Sequence, residues 1–473
     1  MRSRLLCWLA AVAALSTPAL AQNVATTQGV SITLRGIVDA TFFAQDADFG
    51  IGTGQRANYV LVERPNWIHG GDARNTRLTL GLAGPEVSKG WRGNATVELD
   101  FFGAFAGAPS AFADEQPQPR LRLAYADLTN GRTTLRIGQD WDLLLGNIPV
   151  STSHIAFPLG HGSGGFVGWR FTQVRFMKTL SAPTARATTR FQLALLSGSW
   201  SDDAGTSEGA SAGERAGPQI EGRFDYSTAK WGAYLVAHVD NKVNPNIKSH
   251  MVELGANTTR GALTLQGNAY IGSGMAHHIA QIVQFGDFKG WGAWLQAGYA
   301  LNSKWSVWGF YGTDRPDSTE LASLPAAAVT EANGATTIPV AARRFSSWTF
   351  TPMIRFKPAG PYSVGVEWLH NEVKLGSGDI LAGNQVCSAR GSISRGINAG
   401  QSTRFPTSHR RRGRWHRDRR ARRSRSDACA GTRAGARAPH PRREVDPQYL
   451  PILLGRLRHP RSGKGRPDRE HRG

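Results

Sequence analysis

The segment "NATVELDF" (residues 94–101) sets the fold class of this chain, because its side chains alternate strictly between two chemical characters. An alternation with a period of two residues is typical of a β-strand, whose successive side chains point to opposite faces of a sheet. The apolar set is Ala95, Val97, Leu99 and Phe101. The polar set is Asn94, Thr96, Glu98 and Asp100. This strand is therefore predicted to separate an apolar environment from a polar one.

The same alternation recurs along most of the chain. "ALTLQGNAYI" (262–271) and "SWTFTPMIRFK" (347–357) repeat it, and residues 22–386 contain no convincing amphipathic helix. Fifteen strands can be placed, and a sixteenth would begin within "GDILAGNQV" (378–386). Short turns alternate with long loops, and the long loops are predicted at 45–75, 104–119, 142–167, 199–217, 241–249, 272–289, 314–344 and from Lys374 onward.

This arrangement predicts an all-β fold, a transmembrane antiparallel β-barrel of about 16 strands with long extracellular loops and short periplasmic turns. The sheet must close, because hydrocarbon offers no partner for backbone polar groups at an open edge. A soluble β-sandwich or a secreted β-solenoid is the alternative, but neither explains why short and long connections alternate. Aromatic residues near strand ends are expected in interfacial girdles: Trp141, Trp169, Trp231, Trp291, Trp305, Trp348, Tyr362 and Trp368.

The N-terminus resembles a secretory signal. Arg2 and Arg4 precede an apolar stretch, and Ala19-Leu20-Ala21 supplies the small residues that a signal peptidase accepts. We therefore expect a signal peptide at residues 1–21 and export of the mature chain. The chain has only three cysteines, so a disulfide framework is not expected.

The formal charge of +21 is distributed unevenly. Residues 22–386 carry 30 Lys and Arg against 29 Asp and Glu, whereas residues 387–473 carry 24 against 6. A nucleic-acid footprint, if there is one, would belong to the tail alone. The sequence thus divides into a signal peptide (1–21), a barrel (22–386) and an arginine-rich tail (387–473).

Three stretches resemble the Gram-negative general diffusion porins, which are sixteen-stranded outer-membrane barrels and usually trimers. "SITLRGIVDATFF" (31–43) is similar to their first strand, "TRLTLGLAGPEVSKGWRGNATVELDFFG" (76–103) to their second hairpin, and "RLRLAYADLTNGRTTLRIGQDWD" (120–142) to their fourth and fifth strands. The resemblance implies an outer-membrane location, contact with lipid and lipopolysaccharide, a homotrimer, and passage of small hydrophilic solutes. It also implies that the third long loop, Asp142–Phe166 with His154 and His161, folds into the lumen and narrows it.

Strand parity identifies the side chains that are expected to line the pore. If Leu78 and Leu80 face lipid, Arg77 faces the lumen, and the same alternation selects a set with more arginines than acids. The set is Arg35, Arg77, Arg92, Glu98, Asp100, Arg120, Arg122, Arg132, Arg136 and Asp140. A fixed positive excess would favour anions. The competing interpretation is that these arginines pair with the acids and simply fill a wide barrel.

Other chemistry is weakly indicated. His277-His278 could bind a metal, but adjacent histidines in an exposed loop usually do not, and no metal or cofactor is predicted. The G-x-S-x-G spacing of a nucleophile elbow occurs only within the predicted long loop 199–217 and not on a turn between a strand and a helix, so no enzyme is predicted. A structural or adhesive surface barrel without conductance remains the alternative function.

The tail follows a different composition from the rest of the chain. Residues 401–473 contain 21 arginines and one lysine, and residues 409–426 read "HRRRGRWHRDRRARRSRS". Because alternation stops where one strand is still needed, we expect a frameshift near Val386 and loss of the C-terminal strand. The alternative is a genuine, disordered basic tail that binds nucleic acid or lipopolysaccharide.

Overall fold

The computed structural model describes residues 22–27, 29–50, 52, 54–103, 117–197, 218–241, 247–279, 281–331, 336–360 and 362–390. The expected signal peptide and the chain from residue 391 onward lie outside the described residues. The chain divides into two compact units, residues Met1–Pro406 and Thr407–Gly473. Only the first of these two units contains described residues.

Antiparallel strands make up nearly all of the regular structure. They are β1 (Gln22–Thr27), β2 (Val30–Ile37), β3 (Ala40–Phe49), β4 (Val60–Asp72), β5 (Arg77–Ser88), β6 (Trp91–Asp100), β7 (Arg120–Thr129), β8 (Thr133–Trp141), β9 (Arg170–Thr179), β10 (Thr188–Leu196), β11 (Gln219–Ser227), β12 (Trp231–Asn241), β13 (Lys248–Arg260), β14 (Leu263–Ser273), β15 (Lys289–Ala300), β16 (Trp305–Pro316), β17 (Arg344–Phe356), β18 (Val364–Leu375) and β19 (Ile380–Arg390). One short helix, α1 (Ser318–Ser323), begins at Asp317, whose carboxylate accepts hydrogen bonds from two backbone N–H groups.

β2 and β3 together form one long, interrupted barrel strand, and β4 and β5 form the next one. β2 pairs with β5 and β3 pairs with β4, so that residues 30–49 run antiparallel to residues 60–88 with a break in each. β1 folds back on β2 as an additional edge strand. In the described part of the chain the nineteen strands therefore amount to sixteen barrel strands and this edge strand.

Strand pairing proceeds between sequence neighbours and returns to its starting point. From β5 onward each strand pairs with the next, and β19 pairs with β3 over six residues, from Gln385↔Gln45 to Arg390↔Ala40. The sixteenth strand is thus present as far as Arg390, and the expectation that it is lost is wrong over these residues. The predicted eighth long loop is also wrong, because Lys374 pairs with Ile380 across a tight connection.

The outer face of the sheet is apolar. Leu78, Ile137 and Val174 are 46%, 55% and 45% exposed although each lies in a strand that is paired on both sides. Trp231, Trp291, Trp305 and Trp368 are also exposed, in keeping with the predicted girdles. Trp141 and Trp169 do not belong to a girdle, because their rings pack on each other inside the barrel, with centroids 6.4 Å apart. Among the residues that the structure describes, no helix is long and apolar enough to cross a membrane.

Among the connections that the structure describes, two fold into the barrel. The first, residues 142–169 between β8 and β9, places Asn147 against the carbonyls of Ala256 and Gly267 and Val150 against Gln296. The second, residues 274–288 between β14 and β15, is buried at nearly every described position. The third loop therefore lies against the inner face of strands β13–β15, and the segment predicted as an external loop at 272–289 is internal.

Candidate functional site

A network of charged side chains covers the inner face of strands β5–β9. The Arg122 guanidinium contacts Glu98 and Asp100, with N–O distances of 2.9 Å to each. The Arg120 guanidinium lies 2.7 Å from Asp100, and that of Arg77 lies 3.6 Å from Glu98. Arginine suits such a network because its planar fork donates to two carboxylates at once.

A β-bulge explains how Arg122 enters this network. Between β6 and β7 the register changes from Glu98↔Leu123 to Leu99↔Leu121, which leaves Arg122 as an extra residue on its strand. A bulge of this kind redirects a side chain and shifts the alternation beyond it. Arg122 is consequently only 2% exposed.

The shift in alternation turns Tyr125 and Asp127 inward. Arg136 lies 2.7 Å from Asp127 and 2.5 Å from Asp140, and its guanidinium carbon is 3.6 Å from the centre of the Tyr125 ring. Arg175, which the sequence did not single out, lies 3.5 Å from the same Asp140. This part of the wall therefore has about as many acids as arginines.

A second part of the wall has a positive excess. Five of its arginines gather around the rings of Phe102, Phe157 and Trp141, with guanidinium-to-centroid distances of 4.7–5.7 Å, and a sixth, Arg77, lies beside Glu98. We call this group the arginine cluster; it consists of Arg56, Arg74, Arg77, Arg120, Arg122 and Arg170. The described salt bridges of the cluster reach only three carboxylates, those of Asp72, Glu98 and Asp100.

The charges of the cluster remain partly accessible to water. The side chains of Arg74, Arg77 and Arg120 are 15%, 14% and 23% exposed. Among the described residues, neither Arg56 nor Arg170 makes a salt bridge, and burial together with Arg74 and Arg120 lowers the pKa of Arg56. Within the described part of the chain, six arginines face three acids, which leaves a local positive charge on the lumen side of this wall.

The remaining predicted pore residues lie apart from the cluster. Arg35 pairs with Thr79, and Arg92 pairs with Thr129. Both arginines are exposed and lie on the face of the sheet that carries Glu98. Arg132 is not in a strand: it lies in the β7–β8 turn and donates to the carbonyls of Thr179, Leu180 and Ser181. The prediction that Arg132 lines the pore is therefore wrong.

The predicted constriction residues act as anchors of the third loop. The Asp142 carboxylate accepts hydrogen bonds from the N–H groups of Leu145 and Trp169 and lies 2.7 Å from His278 Nδ1. Its burial raises the pKa of Asp142 to about 7. His154 Nδ1 lies 2.7 Å from Glu367 on β18.

His161 is buried against aromatic rings. It stacks on Trp169, with centroids 5.7 Å apart, and its Nε2 is 3.1 Å from the Gly168 carbonyl oxygen. Burial lowers the pKa of His161 to about 3, so the ring stays neutral over the ordinary pH range. None of the three predicted loop residues is an exposed gate; each fixes the loop to its surroundings.

Burial overturns the expectation for His277 and His278. Both rings are at most 1% exposed and lie beside His238 of β12, which the sequence did not single out. The signal that could have located them is the apolar run that follows, with Ile279, Ile282, Val283 and Phe285, because an exposed loop rarely contains so many apolar residues.

Comparison with solved structures places the fold. The chain is similar to the outer membrane channel DcaP of Acinetobacter baumannii, with a TM-score of 0.59, 16% identity, and coverage of 79% of this chain and 100% of that chain. The fold is that of a porin-type β-barrel, as the alternation predicted.

Two further structures are similar at lower scores. They are the anion-selective porin from Comamonas acidovorans (TM-score 0.46, 14% identity, 76% of this chain and 99% of that chain) and Salmonella typhi OmpF in complex with daunomycin (TM-score 0.48, 12% identity, 77% and 98%). No protein-family model matches this chain, and no curated protein matches it.

Proposed function

We propose that this protein is an outer-membrane porin through which small hydrophilic solutes diffuse passively, with a preference for anions. The location is supported by the continuous apolar outer face of a sheet whose pairing returns to its first strand. Such a face is stable in lipid and would be a large exposed apolar surface in water.

The arginine cluster is the observation that carries the anion preference. Four of its six arginines share three carboxylates, and Arg74, Arg77 and Arg120 keep part of their surface open to the lumen. Fixed positive charge beside a narrow aqueous path raises the local concentration of anions and repels cations. The guanidinium fork also matches the geometry of carboxylates and phosphates.

A reversal potential measured across a planar bilayer under a KCl gradient tests this preference. The full chain, refolded in detergent, is expected to conduct in steps and to give the sign of an anion-selective channel. The double variant R56Q/R170Q removes two charges without leaving a carboxylate unpaired, so its reversal potential should move toward the cation side. The control R132Q, in the β7–β8 turn, should leave the potential unchanged.

The second candidate function is a structural or adhesive barrel that does not conduct. It is favoured by the two loops inside the barrel, whose buried residues include Leu143, Phe166, Ile282 and Phe285. Absence of stepwise conductance from a correctly folded chain would favour this candidate, whereas a cation-selective sign would contradict only the role of the arginines.

We also propose a homotrimer in contact with lipopolysaccharide, on the resemblance of residues 31–43, 76–103 and 120–142 to the porins. Native mass spectrometry of the chain released from detergent tests the subunit number. A mass of three chains supports the proposal, and a single chain contradicts it.

A further inference from the structure

Three histidine rings meet inside the barrel, at the end where the long connections lie. His238 comes from β12, and His277 and His278 come from a single helical turn, Ala276–His278, that follows β14. The ring centroids of His277 and His278 are 4.3 Å apart, and those of His238 and His278 are 4.5 Å apart. One ring nitrogen from each residue lies within 4.8 Å of the other two.

Each of these rings has a carboxylate beside it. His238 Nδ1 is 3.0 Å from Glu221, and His278 Nδ1 is 2.7 Å from Asp142. His277 Nε2 is 3.4 Å from Asp240. At His238 and His278 these contacts are hydrogen bonds, and a carboxylate commonly orients a metal-binding histidine in this way. The opposite nitrogens of these two rings lie 3.4 Å from Ser249 Oγ and 3.1 Å from Gln219 Oε1, contacts that a bound cation would replace.

Two of these carboxylates are themselves held in place by the third loop. Glu221 accepts a hydrogen bond from the Leu143 N–H at 2.6 Å, in addition to its contact with His238. Asp142 accepts from Trp169 at 2.8 Å and from Leu145 at 3.1 Å. Their oxygens are therefore occupied by donors, and the histidine nitrogens are the groups suited to bind an ion.

The chain around this site is conformationally strained. Ile279, Ile282 and Val283 adopt left-handed backbone conformations, with φ of 60°, 42° and 47°. Such conformations are unfavourable in β-branched residues and persist only where the surroundings enforce them. A cross-link at His277 and His278 would hold the start of this segment to the barrel wall.

We propose that His238, His277 and His278 bind one late first-row divalent cation of the Zn²⁺ class. Three imidazoles with one position left for water is a common zinc environment, and imidazole is preferred by Zn²⁺, Cu²⁺ and Ni²⁺ over Mg²⁺ or Ca²⁺. Zn–N bonds of about 2.0–2.1 Å in a tetrahedron place the nitrogens about 3.4 Å apart. The nitrogens of the three rings lie within 4.8 Å of one another, so binding requires the rings to move toward the ion to reach this spacing.

The bound cation would join three separate parts of the barrel. The ion would connect β12 to the connection 274–288, and through the Asp142 and Glu221 carboxylates it would also fix the beginning of the third loop. The site is therefore structural in character. Its existence does not depend on whether the barrel conducts.

Metal content of the refolded full chain tests the proposal. The protein is stripped with a chelator, incubated with Zn²⁺, dialysed and analysed by mass spectrometry for zinc per chain. Five further histidines lie between residues 409 and 471 and contribute a background, so the quantity of interest is a difference. The wild type should retain about one zinc per chain more than the variant H238N/H277N, and the control H250N, an exposed histidine on β13, should retain as much as the wild type.

Co²⁺ substitution provides a second readout that does not depend on the variants. The folded wild type should show the intense visible absorption of four-coordinate Co²⁺, and added Zn²⁺ should abolish it. Circular dichroism and heat-dependent gel mobility establish that each protein is folded. Equal zinc content in the wild type and the double variant would overturn the proposal, and so would a folded wild type without the four-coordinate Co²⁺ spectrum.

Discussion

The two sides of the barrel interior are built in different ways. Strands β5–β9 carry arginines and carboxylates that remain partly accessible, with Arg120 still 23% exposed. Strands β12–β18 are instead covered by the connections 142–169 and 274–288, and apolar groups such as Phe166, Ile282 and Phe310 are buried between them. On the proposed function, water and solutes would pass along the charged wall, because the opposite wall is occupied by protein.

This comparison predicts that the stability of the charged wall depends on the buried guanidinium of Arg122. Arg122→Met removes the guanidinium that contacts Glu98 and Asp100, and leaving buried carboxylates without it should lower the free energy of unfolding by about 3–5 kcal/mol. Equilibrium urea unfolding in lipid vesicles measures the effect. The control Arg64→Met breaks an ion pair with Asp48 whose side chains are 40% and 38% exposed, and should cost about 0–1 kcal/mol. Equal losses in the two variants would mean that the wall is not a coupled network.

The wall of strands β12–β18, which we call the covered wall, is packed closely enough that one added methyl group should lower its stability. Gly165 has a φ of +74°, and a Cβ there would lie 2.3 Å from the Ala293 backbone nitrogen. Gly131→Ala is a matched control, since its φ is +85° and nothing lies within 4 Å of the added carbon. Gly165→Ala should destabilise the protein by about 1–3 kcal/mol more than the control, because overpacking adds to the shared backbone strain.

The same pair of variants also sharpens the functional comparison. If the third loop narrows the conducting path, Gly165→Ala should raise single-channel conductance in a planar bilayer, whereas Gly131→Ala should not. Unchanged conductance together with a loss of stability would show that the loop is docked there but does not limit the flow of ions.

His161 gives the covered wall a pH dependence. Burial lowers its pKa to about 3 from an ordinary value of 6.5, so the unfolded chain binds a proton between these values and the folded chain does not. The free energy of unfolding should therefore fall as the pH drops below 6.5, by about 1.4 kcal/mol at pH 5.5. Urea unfolding at several pH values should show that His161→Asn reduces this slope. His69→Asn, which changes an exposed histidine, should retain it, and a retained slope in His161→Asn would contradict the assignment.

Much of the barrel could be predicted from alternation alone. Residues 94–100 of the segment 94–101 lie in β6. Arg77, Arg120 and Arg136 lie on the predicted inner face. This success has a physical basis, since a strand between lipid and lumen must alternate wherever its pairing is regular.

The failures occur where the pairing is irregular or the chain leaves the sheet. The bulge at Arg122 shifts the alternation, so Asp127 was missed although it balances Arg136. Arg132 follows the expected parity in sequence but belongs to a turn. The alternation within a strand does not predict the course of the connection that follows it. The inward course of residues 274–288 depends on packing partners that are far away in the sequence.

The closure between β19 and β3 has a consequence for the order of folding. Gln385 Nε2 donates to Gln45 Oε1 at 3.0 Å, across a separation of 340 residues. The other barrel contacts are mainly hairpins between neighbours, which form with little loss of loop entropy. The seam must therefore be among the last contacts to form, and until then β3 and β19 both present unpaired edges on which a second chain could add. The yield of correctly assembled protein should consequently depend on protein concentration during refolding, even though the finished barrel contains a single chain.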